Sequence, residues 1–531
     1  DPSHPVPLTV PCVPDGRLPG SPEADARGAI IDVPPTPASP DDVSGRVILS
    51  RLTVYLEATA TVGAVNQLLA DIDGRIVASA AGQPMLSVAV PRQPDAAALD
   101  ALAARVTGSD AVIAAIRDEL PTFDNVPETG SEAVVEALER TRFPAAWNAL
   151  ALARDGCASR RVPVIVADDF GREAPPGFSG EVPGFRPNLT NARDGVRDHG
   201  YLVTSVLASN FTGPMVGAAP LPECLELVDV NLAAPYTALE RTLAISEAVG
   251  RFPRSVVNAS WGFPSLCGDS DGNATSCDAT TVEPYRLYFR ATQMADWKAV
   301  FGGAQDRFVA AVSAGNGAQD PETLHYPGTI PAGLQSTLGA SALADPTFAE
   351  FTDPALWDPT DPALPDVTLT GANLDSLEAI LDITGARSIP PFTNTLVVGS
   401  SSATGVESAF SNPGATVRAV GEAVFATTWN NVRVNGTSFA APQVAGLAAY
   451  LWLLSPDLRA RPAPDTANLI RLSTDPDHPG ELDALTAVLA LDASTADPTP
   501  ANSPVRLAML DIDDDGDFDD DDLSAFRTAY L

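Results

Sequence analysis

The sequence predicts an α/β protein: a mainly parallel sheet covered by helices, preceded by a small α+β unit and followed by a short acidic tail. Three observations carry that expectation. From about residue 140 to 495, apolar runs of strand length alternate with helix-length segments, as crossover-connected parallel strands require. Ahead of them, residues 46–120 read strand, helix, strand, strand, helix, strand. At 531 residues the chain exceeds one typical hydrophobic core, so several domains are expected.

Residues 1–45 are crowded with proline, as in Pro34-Pro35-Thr36-Pro37, and hold no sustained period, which reads as an irregular arm. In 46–120 the expected elements are a strand at Leu52 to Leu56, a helix from Val62 to Ile72 and strands at Arg75 to Ala78 and Met85 to Val90. A helix from Ala96 to Val106 and a strand from Ala111 to Ile116 complete a split βαβ, ferredoxin-like unit. Residues 121–139 form a linker, and 140–495 the large domain. Its strands are Val162 to Ala167, Leu225 to Val230, Ser255 to Asn258, Phe308 to Val312 and Thr395 to Val398, with ligands expected at their carboxyl ends. The Pro/Asp-rich stretch 326–395 reads as an insertion or extended surface loop, and 496–531 as a separate tail.

Composition narrows the function. Asp and Glu number 68 against 32 Lys and Arg, a formal charge of -36 that repels phosphate backbones and excludes nucleic acid as a partner. No run of 18 apolar residues occurs, so no membrane span is expected. The opening Asp1-Pro2-Ser3-His4-Pro5 lacks the regions of a signal peptide, so export requires that a signal has already been removed. Among five cysteines, Cys267 and Cys277 bracket a Gly/Asp/Ser/Asn-rich loop that a disulfide would staple, which fits a secreted protein. Paired CxxC and HExxH spacings are missing, which argues against zinc.

The segment Asn435-Gly436-Thr437-Ser438-Phe439-Ala440-Ala441-Pro442 runs straight into an apolar helix, so Ser438 sits at a helix N-terminus. Backbone N–H groups and the positive end of the helix dipole there stabilise charge developing on a substrate carbonyl. Pro442 is expected in the first turn. Of the four histidines, His199 opens an apolar helical run in Asp198-His199-Gly200-Tyr201-Leu202-Val203 and is the candidate base, with His325 its competitor. The strand Val164-Ile165-Val166-Ala167 delivers Asp168 and Asp169; register favours Asp168 as the residue that orients His199, and Asp169 stays open. Asn316, in Ala314-Gly315-Asn316-Gly317 after another strand, is the candidate oxyanion donor.

Together, the chain order Asp, His, Ser and these segments resemble the subtilisin-like serine peptidases. Asn258-Ala259-Ser260-Trp261-Gly262 is similar to that family's edge segment, so Ser260, Trp261 and Gly262, with Ala314 and Gly315, are implied to meet an extended substrate. Ala409 to Gly414 and Gly480 to Ala484 look like further family landmarks. Asp169-Phe170 departs from the small hydroxyl residue and glycine that usually follow the family's aspartate. The resemblance implies a serine endopeptidase acting on proteins or peptides through an acyl-enzyme. It also implies that 46–120 is an inhibitory propeptide, so that the chain is a zymogen. The competing reading is a non-catalytic, calcium-dependent binding or surface protein on a peptidase scaffold.

In the tail, Asp511, Asp513, Asp515, Asp517 and Asp522 take the spacing of an EF-hand loop, with Gly516 at the sharp turn, so a structural Ca2+ is expected. With the apolar face of Leu523, Phe526 and Tyr530, the segment looks like half a dockerin module, which raises a cohesin-like partner.

Overall fold

The structure is a computed structural model. It describes residues 16–118, 120, 137–157, 161–170, 199–209, 216–232, 235–261, 284–316, 372–389, 392–412, 415–427, 431–492, 504–510 and 519–530.

The first unit is a four-stranded antiparallel sheet. Its strands are β1 (Arg51–Leu56), β2 (Arg75–Ser79), β3 (Met85–Ala89) and β4 (Val112–Ile116), in the spatial order β2-β3-β1-β4. Helix α1 (Val62–Asp71) is capped by the Thr61 hydroxyl and α2 (Ala96–Thr107) by the Asp95 carboxylate. Leu52, Val54 and Leu56 point to the face those helices cover, where Leu69, Leu99 and Val106 complete a core. Of the proline-rich arm, residues 16–45 are described; they include a short helix, Ala26–Ala29, and a 3-10 turn, Pro40–Asp42. Leu18, Ala26 and Ile30 enter the same core.

The alternate residues of β1, Arg51, Thr53 and Tyr55, are also buried, so this sheet is covered on both faces. Its second cover comes from the large domain, where Tyr55, Ala78, Met85, Ile113 and Ile116 share a core with Leu239, Leu243 and Trp297. Those residues lie on α4 (Ala238–Gly250) and α5 (Pro284–Phe301).

The large domain is built on six parallel strands: β5 (Val162–Asp168), β6 (Leu225–Asn231), β7 (Ser255–Ala259), β8 (Phe308–Ser313), β9 (Thr395–Ser401) and β10 (Val417–Val420). Their order is β10-β9-β8-β7-β5-β6. The chain leaves β5 for the edge at β6 and returns past it to β7, so the topological switch point lies at the carboxyl ends of β5 and β7. Helices α4, α5 and α6 (Ala372–Ile383) cover one face; α3 (His199–Ala208) and α7 (Thr437–Leu454) fill the other. A hairpin of β11 (Val424–Thr427) and β12 (Asn431–Val434) leads into α7. Helix α7 is long and apolar enough to cross a membrane, but every residue of it is buried in this core.

Several expectations are refined. Residues 326–371 of the expected insertion lie outside the described residues, but the stretch after them folds as α6, whose Leu377, Ile380 and Leu381 are buried at helical spacing. Ala137 and Leu138, at the close of the expected linker, belong to the core around α7. In the tail, Val505 enters that core too, and the Asp492 carboxylate accepts hydrogen bonds from the N–H groups of Val505 and Arg506. Cys267 and Cys277 lie outside the described residues; a disulfide joins Cys157, at the end of a helix, to Cys224, just before β6.

Candidate active site

Asp168 ends β5, fully buried, and His199 begins α3. His199 Nδ1 lies 2.6 Å from Asp168 Oδ1, a charge-assisted contact inside the protein. The Asp169 N–H donates to the same oxygen at 2.7 Å. Burial pushes the Asp168 carboxyl above the ordinary aspartate value, opposed by its attraction to His199, that hydrogen bond and the Asp169 amide.

Asp169 serves the turn through its backbone, since its carbonyl accepts the Gly200 N–H at 2.7 Å. A Cβ at Gly200 would stand 2.8 Å from that carbonyl oxygen and 2.9 Å from the Phe170 ring, so only glycine fits after the histidine. Phe170, the departure noted above, stacks edge-on with Tyr201 at 5.3 Å and donates its N–H to Asn231 at the end of β6. The unusual residue thus fills a core position that fixes α3 on β5 and β6.

Ser438 is the second residue of α7. Gly436, at the N-cap with φ 148°, turns the chain from β12 into the helix in a conformation L side chains avoid. The Asn435 side chain accepts from the Ala423 N–H at 2.6 Å and fixes the approach. Ser438 Oγ donates to the Ser260 carbonyl at 3.2 Å, so serine and edge segment meet. Pro442 lies in the second turn of α7 rather than the first; lacking an N–H, it cannot bond the Ser438 carbonyl four residues back.

Asn316 reaches the same helix end. Its Oδ1 accepts from the Thr437 N–H at 2.8 Å and the Thr437 hydroxyl at 2.9 Å, which turns its amide nitrogen to the opposite side. The Gly315 N–H donates to the Thr437 hydroxyl at 3.1 Å, and the Gly315 carbonyl accepts from Asn412 at 3.0 Å. Both polar groups of Gly315 brace the loop, and the Ala314 N–H is engaged with Val398. Thr437 is the residue the motif reading passed over, although it sits inside the segment that singled out Ser438.

Ser260 and Trp261 follow β7, both buried, and the Trp261 ring lies 5.8 Å from the Arg241 guanidinium of α4. Gly262 and His325 lie outside the described residues. His478 pairs instead with Asp475 at 3.3 Å.

In the tail, Asp511, Asp513, Asp515 and Asp517 lie outside the described residues, between helices Pro504–Leu510 and Asp520–Tyr530. Asp522 is buried and its carboxylate accepts the Asp519 N–H at 2.8 Å. Carboxylates on that sequence spacing are of the chemistry that suits a hard cation.

A buried aspartate on a histidine, a serine at a helix N-terminus and an asparagine locked beside it are the groups a serine-type hydrolase uses. The subtilase family model matches residues 184–474, and this chain belongs to that family; it is a serine-type endopeptidase. No curated protein sequence matches the chain. Among solved structures it is similar to the epidermin leader peptide processing serine protease EpiP of Staphylococcus aureus, at 15% identity, 85% coverage of this chain, 100% of that chain and a TM-score of 0.46. It is also similar to fervidolysin of Fervidobacterium pennivorans, a keratinolytic enzyme related to subtilisin. That match has 15% identity, 89% coverage of this chain, 64% of that chain and a TM-score of 0.47.

Proposed function

We propose that the chain is the zymogen of a secreted endopeptidase in which Ser438 is the nucleophile, His199 the general base, Asp168 its orienting partner and Asn316 the oxyanion donor. The observation that carries this reading is the convergence of distant segments: Asp168 on His199 at 2.6 Å, and Asn316 on the amide beside Ser438 at 2.8 Å. In the reaction, the Ser438 hydroxyl leaves the Ser260 carbonyl, gives its proton to His199 Nε2, and Oγ attacks the peptide carbonyl carbon. The Asn316 amide nitrogen and the Ser438 N–H hold the oxyanion. Collapse breaks the C–N bond as His199 returns the proton to the leaving amine, and water, deprotonated by His199, then frees the acid from Ser438.

Residues 46–120 act as the inhibitory propeptide, a reading supported by their buried polar docking on α4 and α5. Secretion is supported by the Cys157–Cys224 disulfide. Asp511, Asp513, Asp515, Asp517 and Asp522 would hold a structural Ca2+, which when bound neutralises the acidic loop and ties the two tail helices together. A cohesin-like partner for this tail is the remaining expectation of the same motif.

Intact mass after incubation with calcium, comparing the native chain with Ser438→Ala, tests the reading. Loss of an N-terminal fragment from the native chain alone is expected, as is labelling of Ser438 by a serine-directed phosphonate. Labelling without processing would leave residues 46–120 as a permanent domain, and failure of both would overturn the catalytic assignment.

A further inference from the structure

Three carboxylates are buried where the small domain meets α4 and α5: Asp118, just after β4, Glu240 on α4 and Asp296 on α5. Each is held differently. Glu240 caps its own helix through the Thr237 N–H at 3.0 Å, and its other oxygen takes Ser87 Oγ at 2.6 Å and Arg51 Nε at 3.2 Å from the small domain. Asp118 accepts from the Ala238 N–H at the start of α4, from Gln293 of α5 and from Thr53 of β1. It also faces Arg241, whose guanidinium burial brings down to about 10 against the attraction of Asp118 and Glu240, with Arg46 adding repulsion.

Asp296 meets no cation among the described residues. The Tyr55 hydroxyl lies 2.9 Å from each of its oxygens. The single Tyr55 hydrogen serves both contacts. Lys298 is buried on the same helix, yet no ion pair joins it to Asp296. Arg51 is spent on Glu240, Arg117 pairs with Asp100 at 2.9 Å, and the described acids of α6, Asp375 and Asp382, are exposed.

We propose that a proton on Asp296 latches the small domain over α4 and α5, so that acid holds the domain in place and rising pH releases it. This rests on reading residues 46–120 as a removable inhibitor. Burial pushes the Asp296 carboxyl well above the usual aspartate range; the Tyr55 hydrogen bond opposes this and the Asp118 charge adds to it. Separation would expose the carboxyl and return it to its ordinary value. The docked state therefore holds a proton that the separated state has released. Docking is full below the ordinary aspartate pKa and weakens about tenfold per pH unit until the raised value is passed. Glu240, raised by burial against its partners Ser87 and Arg51, adds in the same direction.

Hydrogen exchange across α4 and α5 tests the latch in the full-length Ser438→Ala chain, from pH 5 to 9 with the intrinsic pH dependence removed. Protection at the first turn of α4, where Asp118 holds the Ala238 N–H, is expected to fall as pH rises, by at most about tenfold per unit from each raised carboxyl, and to level off once that carboxyl is ionised in the docked state. Asp296→Asn, neutral at every pH, should remove the slope that Asp296 contributes, and Tyr55→Phe should move the midpoint upward, because it deletes the donor that favours the ionised form. A flat profile in the Ser438→Ala chain, or an undiminished slope in Asp296→Asn, would overturn the latch. Should Asp296→Asn not fold, an unmoved midpoint in Tyr55→Phe does so. Because this readout needs no catalysis, a flat profile beside successful phosphonate labelling discards the latch and keeps the peptidase, and a steep profile beside failed labelling does the reverse.

Discussion

Helices α5 and α7 both run 18 residues against the large sheet, on opposite faces, and they are built to different rules. Helix α7 carries no charged residue; Val444, Leu447, Ala448 and Leu451 belong to the apolar core it shares with β7, β8, β9 and α3, and its buried Gln443, Tyr450 and Trp452 bond only to Val420, Phe439, Ala146 and Thr466 of the same domain. Helix α5 buries Thr292, Gln293, Asp296 and Lys298 among its apolar residues. The first is what a permanent core requires, since close-packed apolar contacts need no partner to leave. The second is costly unless a matching polar surface covers it, and the small domain supplies that surface through Tyr55 and Asp118. One helix belongs to the fold; the other is written for a neighbour.

Four substitutions sharpen or break this contrast. Ser438→Ala, inside the buried first turn of α7, should lower peptide hydrolysis by about 10⁶-fold in a steady-state assay without shifting the melting temperature, which would separate the helix's chemical end from its structural body. Asn316→Ala should cost roughly 10²–10³ in kcat with KM little changed. Leu447→Ala should destabilise the whole large domain by about 2–5 kcal/mol in denaturant unfolding, because the cavity lies where nothing can relax into it. Tyr55→Phe on the opposing surface should cost only about 1 kcal/mol of docking at acid pH and leave the unfolding of the large domain unchanged. If Tyr55→Phe unfolded the large domain as Leu447→Ala does, the two helices would belong to one core and the contrast would be lost.

Much of this was legible in the sequence because local pattern and tertiary role agree. The strand at Val162 to Ala167 is buried on both faces and reads as a continuous apolar run, and the site residues lie at the ends of such runs. Where agreement fails, the reading stops. Strand β10 is four residues of Val-Arg-Ala-Val, too short to announce itself, and is made a strand by pairing with β9. Helix α6 was obscured by the proline-rich segment before it, though its own leucines and isoleucines keep helical spacing. The Cys157–Cys224 bridge spans 67 residues, and no local pattern specifies such a pairing. Thr437 was overlooked because a hydroxyl that positions Asn316 carries no signature apart from the partner it finds in space. The polar side of β1 resembles a solvent-facing strand face; only the fold shows what covers it.

The span of that covering contact has a kinetic consequence. Tyr55 and Asp296 stand 241 residues apart, and every strand of the large sheet pairs in parallel across a long crossover, so both must close large loops before any contact rewards them. The small domain closes β2 on β3 as a hairpin, and its longest pairing, Thr53 with Ile116, spans far less chain than the contact of Tyr55 with Asp296. It should therefore reach its native form first during refolding and stand as a finished surface on which α4 and α5 settle while the six strands are still assembling.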